Sequence, residues 1–227
     1  MREIVLDTET TGLDFRQGHR IVEIGCLELF DHVPTGETFH AYINPERDVP
    51  QGAVDIHGLT QQKLSGEPVF SAIAESFLNF IGADPLIIHN AGFDVPFLNS
   101  ELDRLGKPPI TFDRVVDTLL IARQKHPGTS NRLDDLCTRY RIDNSKRTLH
   151  GALLDSELLA EVYLELIGGR QTAMLLEAET KKGLELIQTR KTDRSDRPIR
   201  VSEHESARHK QLVDSLGNEP LWRRYDH

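Results

Sequence analysis

Ile4-Val5-Leu6-Asp7-Thr8-Glu9-Thr10-Thr11-Gly12 carries an apolar strand directly into two acidic residues. The period-two alternation of a strand puts Asp7 and Glu9 on one face, at its C-terminal end. Turn formers follow from Gly12 to Gly18, then a second strand over Ile21–Phe30, further turn formers from His32 to Gly36, and a third strand over Glu37–Ile43. Apolar spacing at Ile73, Phe77, Phe80 and Ile81 predicts a helix over Ser71–Ile81. Leu86–Ile88 reads as a short buried strand, Phe93–Leu105 as a helix, Val115–Val116 as a strand, and Leu119–Arg123, Leu133–Tyr140 and Gly151–Ile167 as helices. A β-meander followed by alternating helices and strands predicts an α/β domain built on a mixed sheet.

The chain has 227 residues, enough for one well-buried domain and a tail. Met1-Arg2-Glu3 runs straight into the first strand, so no secretory leader is expected, and no apolar run is long enough for a membrane span. Cys26 and Cys137 sit among apolar neighbours without metal-like partners, which fits two reduced thiols of a cytoplasmic protein. The net charge is −9, but it is unevenly spread. Ala178 to His227 holds 11 basic and 9 acidic residues, leaving 16 basic and 27 acidic for the rest. An acidic body disfavours tight, sequence-independent binding of DNA by phosphate neutralisation. It does not exclude a nuclease whose carboxylates hold divalent cations, since a bound metal reverses the local charge.

Composition shifts near Gly168-Gly169. Lys181 to Arg208 is polar and reads as a flexible linker, whereas Leu212 to Tyr225 regains Leu216, Leu221 and Trp222 and reads as a docking segment. The expected organisation is a domain over residues 1–170, a linker over 171–210 and a docking segment over 211–227.

Acidic residues recur on apolar faces. Asp94 starts a helix with Phe97 and Leu98 at i+3 and i+4, and Asp155 shares a stripe with Leu158, Leu159 and Val162. An unpaired buried carboxylate costs several kcal/mol, and no Lys or Arg stands close to Asp7, Asp94 or Asp155 along the chain to offset it. Carboxylate-rich clusters with few nitrogens select Mg²⁺ or Mn²⁺. His150 lies about 140° around a helix from Asp155, so it belongs on the approach to that helix, where a neutral imidazole suits a general base.

Three segments carry a resemblance. LDTETTG at Leu6–Gly12, HNAGFD at His89–Asp94 and HGALLD at His150–Asp155 resemble, in order and spacing, the three motifs of the DEDD exonucleases in their histidine-bearing DEDDh form. The resemblance covers residues 1 to 170. It implies an RNase H-like fold, with a mixed five-stranded sheet flanked by helices and a flexible C-terminal tail. It implies 3′→5′ release of nucleoside 5′-monophosphates from a DNA 3′ end by two divalent cations, Mg²⁺ or Mn²⁺. Asp7, Glu9 and Asp155 would hold one cation, Asp7 would bridge to the second with help from Asp94, and His150 would take the proton of the attacking water. Ile56-His57-Gly58 matches the segment whose histidine lies beside the terminal nucleotide, so His57 is expected at the substrate, with Gly52 and His89 as weaker contacts. The chain is most similar to members that proofread for a replicative DNA polymerase. That likeness implies docking on the polymerase catalytic subunit through Leu212–Tyr225. Gln171, Met174 and Leu175 in QTAMLL resemble a peptide that binds a sliding clamp. A free-standing family exonuclease acting on RNA or DNA ends is the nearest alternative, and a non-catalytic adaptor is the alternative of another class.

Overall fold

The computed structural model describes residues 1–145, 147–168 and 202–215. Five strands form one mixed sheet: β1 (Arg2–Thr10), β2 (Ile21–Phe30), β3 (Val33–Tyr42), β4 (Leu86–Ile88) and β5 (Val115–Asp117), in the order β3-β2-β1-β4-β5. β1 pairs antiparallel with β2 and parallel with β4, and β4 pairs parallel with β5. This is the mixed five-stranded sheet expected from the sequence. The third strand starts four residues earlier than predicted. Asp31 and His32 both adopt positive φ, closing a two-residue turn that pairs Phe30 with Val33. Such a turn matches the twist of the flanking strands, so pairing resumes at once.

The helices are α1 (Gln51–His57), α2 (Gln61–Leu64), α3 (Phe70–Ile81), α4 (Ala91–Arg104), α5 (Thr118–Lys125), α6 (Leu133–Tyr140) and α7 (Ala152–Leu166). α1 and α2 have no counterpart in the sequence reading. They are short, and His57, with Gly58 capping α1 at φ 72°, gives little apolar periodicity. The alternation of β1 divides the core in two. Ile4 and Leu6 pack with Phe70, Ala74 and Phe77 of α3 and with Val95 and Leu98 of α4. Val5 packs on the opposite face with Leu159, Ala160 and Tyr163 of α7. Burying a side chain of this size contributes about 1.5–3 kcal/mol, so the strand is fixed from both sides.

α8 (Glu203–Ser215) begins inside the stretch expected to be linker. A capping box explains it. Ser202 Oγ accepts from the Glu205 N–H at 3.3 Å, and Glu205 Oε2 accepts from the Ser202 N–H at 2.9 Å. The helix therefore runs across the expected boundary at residue 210. Gln171–Leu176, Leu216, Leu221 and Trp222 lie outside the described residues.

The N-terminal turn of α7 is set by a glycine. Gly25 pairs with Asp7 across the sheet, and a Cβ at Gly25 would stand 2.2 Å from the Ala152 carbonyl carbon and from the Leu153 nitrogen. Ser156 Oγ donates to the Gly25 carbonyl at 2.9 Å, closing the contact. Because the obstruction is backbone, Gly25→Ala must push α7 off the sheet. It is expected to cost about 1–3 kcal/mol of stability in a denaturant titration and, by displacing Asp155, to lower nuclease activity more than the stability loss accounts for.

Candidate active site

The C-terminal end of β1 is where both helical layers converge. Ligand sites in open α/β sheets lie beyond the carboxyl ends of the parallel strands, and β1, β4 and β5 all end here. Asp7 and Glu9 project on the α7 side. Thr8 projects on the α4 side, where its hydroxyl donates to Asp94 Oδ1 at 2.6 Å and its N–H donates to the same oxygen at 3.1 Å. Asp94 and Asp155 each sit in the first turn of their helix, where the helix dipole favours a negative charge. Glu9, Asp94 and Asp155 are buried and Asp7 is partly buried.

Electrostatics follow from that crowding. Burial, then the neighbouring Asp94, Glu9 and Asp155, hold the Asp7 carboxyl well above its usual range. Burial and the charges of Asp155, Glu23 and Asp94 push Glu9 up to about 8. Burial likewise raises Asp94 to about 7, against the opposing hydrogen bonds from Thr8. Asp155 behaves differently. Burial pushes it up too, but contacts with His150 and Arg147 outweigh it and hold the carboxyl low.

Arg147 corrects the expectation that no cation stands near these carboxylates. Its Nε donates to Asp155 Oδ1 at 2.5 Å and its Nη2 to Oδ2 at 2.6 Å. The same Nη2 meets His150 Nδ1 at 2.8 Å, and Nη1 donates to Asp134 at 2.7 Å. A guanidinium only donates, so Nδ1 of His150 is the acceptor in that contact. Nδ1 also stands 3.4 Å from Asp155 Oδ2. The residue stands eight positions before Asp155, and a search confined to the helix misses it.

His150 precedes α7, as expected, and is largely exposed. Its N–H donates to the Ile56 carbonyl at 3.1 Å, which ties the approach segment to α1. Among the described residues, Glu9, His150 and Asp155 offer ligand atoms all within 4.8 Å of one another. The two hard carboxylates, with the imidazole beside them, fit a divalent cation. Asp7 and Asp94 fall outside that trio, but they line the same groove of about 1060 Å³, together with Arg147, Arg123 and Arg132.

A second hollow of about 650 Å³ opens on the other side of Glu9, lined by Leu13, Pro50, Gly52, Ile56, His57 and Phe93 among others. His57 is buried and its Nδ1 accepts from the Leu59 N–H at 3.0 Å, so its Nε2 carries the hydrogen. That Nε2 is buried and has no hydrogen-bond partner among the described residues. Burial lowers the pKa of this ring, a backbone hydrogen-bonding contact at Thr10 opposes it, and His150 lowers it further. His89 lines the main groove, but both ring nitrogens are engaged, Nε2 by the Asn131 carbonyl at 3.0 Å and Nδ1 by the Thr118 hydroxyl at 2.9 Å. It braces the groove wall.

Comparison with known proteins bears on this geometry. A family model described as Exonuclease (RNase_T) matches residues 4–163. The DNA polymerase III subunit epsilon of Rickettsia felis is 49% identical over 222 residues, covering 95% of this chain and 97% of that protein. The subunit of the same name from Escherichia coli is 42% identical over 236 residues, covering 98% and 97%. Among solved structures, exonuclease X bound to 5′-overhanging duplex DNA superposes with a TM-score of 0.59 at 22% identity, over 74% of this chain and 92% of that one. The nuclease domain of 3′hExo, a DEDDh family member bound to rAMP, gives 0.61 at 17% identity over 74% and 92%. These structural likenesses establish the shared fold.

The raised carboxyls make a prediction with a definite sign. A folded-state pKa of about 8 for Glu9 against an ordinary 4.5 means that stability present below about 4.5 is lost as the pH rises to about 8. Asp155 acts in the opposite sense, but only below its ordinary 3.8. His57 and His89, both lowered by burial, gain stability as pH rises through 6.5 and affect chelated and metal-loaded samples alike. The rise in melting temperature on adding Mg²⁺ or Mn²⁺ to chelated protein should therefore grow between pH 5 and pH 8. A flat or shrinking increment in scanning calorimetry would contradict the assignment.

Proposed function

The chain belongs to the RNase_T exonuclease family, in its DEDDh form, and from that premise we propose that it is the proofreading 3′→5′ exonuclease of a replicative DNA polymerase. The observation that carries the reading is identity close to half along nearly the full length of polymerase III epsilon subunits, tail included, on a chain whose acidic motifs meet in one groove. Metal-dependent hydrolysis follows from the family and from the Glu9–His150–Asp155 trio.

In this reading Asp7, Glu9, Asp94 and Asp155 would hold two divalent cations, whose charge would neutralise the phosphate and activate water. The carboxylates supply oxygen ligands from three separate elements, so the site exists only in the folded chain. Thr8 fixes the direction of Asp94. His150 takes the proton of the attacking water, a task for which an exposed neutral imidazole beside the carboxylates is suited. The hollow beside Glu9 receives the terminal nucleotide. Its apolar wall, Phe93 and Ile56 included, offers a surface for the base, and the Nε2–H of His57, which makes no hydrogen bond of normal geometry among the described residues, offers a donor to it. Gly52 leaves the rim open, since a Cβ there would touch nothing. His89, with both nitrogens engaged, contributes through the wall and not by contact.

A duplex end must open before its last nucleotide can enter, and a mispaired end opens at lower cost, so errors are selected by the substrate itself. Docking on the polymerase catalytic subunit is assigned to the segment after residue 210, and the clamp contact to Gln171, Met174 and Leu175. An acidic body binds DNA weakly alone, which favours delivery of the substrate by such partners.

The test is a 3′-mispaired primer assay with Mg²⁺, alongside binding to the polymerase catalytic subunit. Full-length protein should degrade the primer and bind the polymerase, and a version ending near Gly169 should only degrade it. Asp7→Ala should abolish turnover and weaken Mn²⁺ binding. His150→Ala should lower kcat by about 10²–10⁴-fold with Mn²⁺ binding retained. Full activity in purified Asp7→Ala would refute the site assignment.

A further inference from the structure

Arg147 has no place in the mechanism above, yet it is the most heavily engaged side chain in the groove. Its side chain is only 7% exposed and all three guanidinium nitrogens are used. Two of them cover both oxygens of Asp155, and one also covers Nδ1 of His150. Those are the atoms a cation and a proton acceptor need. The remaining nitrogen reaches Asp134 on α6, a groove-lining residue that is 54% exposed. A buried guanidinium and a divalent cation cannot share a carboxylate without strong like-charge repulsion.

We propose that Arg147 competes with a divalent cation for Asp155 and His150: a cation that takes Asp155 displaces the guanidinium from both, and Asp134 remains its anchor. The proposal rests on the metal-dependent reading above and deepens it. Arg147 lies between α6 and α7, outside any helix or strand, and Asp134 gives the guanidinium a partner it need not surrender. Two consequences follow. Metal affinity is lowered by the fraction of molecules in which Arg147 is still latched. The lone pair of His150 Nδ1 becomes free only in the loaded site, so one side chain couples cation entry to release of the base.

The test compares the full-length wild type with R147K and R147Q, without DNA, by Mn²⁺ titration followed through the electron paramagnetic resonance of free Mn²⁺. R147Q should bind Mn²⁺ about tenfold more tightly, as expected if roughly one wild-type molecule in ten is unlatched. R147K, which keeps the charge but loses the two-point grip, should fall between them. In the wild type, the Arg147 Nε–H resonance, assigned by its loss in R147K, should shift and lose protection as Mg²⁺ is added. Equal or weaker Mn²⁺ binding in the variants would overturn the latch, as would an Nε–H signal unmoved at saturating Mg²⁺. If R147Q does not fold, R147K and the wild-type resonance still decide. Absence of Mn²⁺ binding in all three proteins would instead remove the metal-site reading, and the latch with it.

Discussion

The gathering of Asp7, Glu9, Asp94 and Asp155 in one partly buried groove is the constraint that organises this molecule. Each carboxylate alone is ordinary at a strand end or in a first helical turn. Together, burial first and the neighbouring carboxylates second raise the proton affinity of Asp7 and Glu9, burial raises that of Asp94, and added positive charge favours the anions. The groove has two means of supplying that charge. One is a divalent cation, which the carboxylates of Glu9 and Asp155 would hold beside His150. The other is built in, as Arg147 on Asp155.

The two-faced burial of β1 delivers this crowding. Alternation sends Asp7 and Glu9 toward α7 and Thr8 toward α4, so one short segment reaches both layers. Thr8 holds Asp94 from its side, and Gly25, lacking a side chain, lets the first turn of α7 settle beside Asp7 on the other. The groove thus depends on a hydroxyl and on a missing methyl as much as on its acids. His57 and His150 are linked in the same way. The backbone tie from His150 to Ile56 places the expected base next to the helix that walls the neighbouring hollow.

Much of this was legible along the chain. The strand IVLDTET, the helical stripes carrying Asp94 and Asp155, and the position of His150 ahead of its helix follow from periodicity and all stand in the structure. Arg147 was not, because an irregular segment carries no period and its partner lies eight residues away in space reached only by folding back. Thr8 carries no signal of its own: it alternates to the face opposite Asp7 and Glu9, which is the reason it can hold Asp94. α1 and α2 are too short for a periodic signal. α8 was readable in principle from Ser202-Glu203-His204-Glu205, a capping box hidden in a polar stretch. His89 illustrates the converse: a histidine in a motif whose ring is wholly occupied by structural bonds.

The most direct measurement is the anomalous scattering of Mn²⁺ in crystals of the full-length protein. The account predicts Mn²⁺ peaks within coordinating distance of Asp7, Glu9 and Asp155, with a second ion shared by Asp7 and approached by Asp94. A crystal equilibrated with Mn²⁺ that shows no peak among these residues, with the four carboxylates left to themselves, would contradict it.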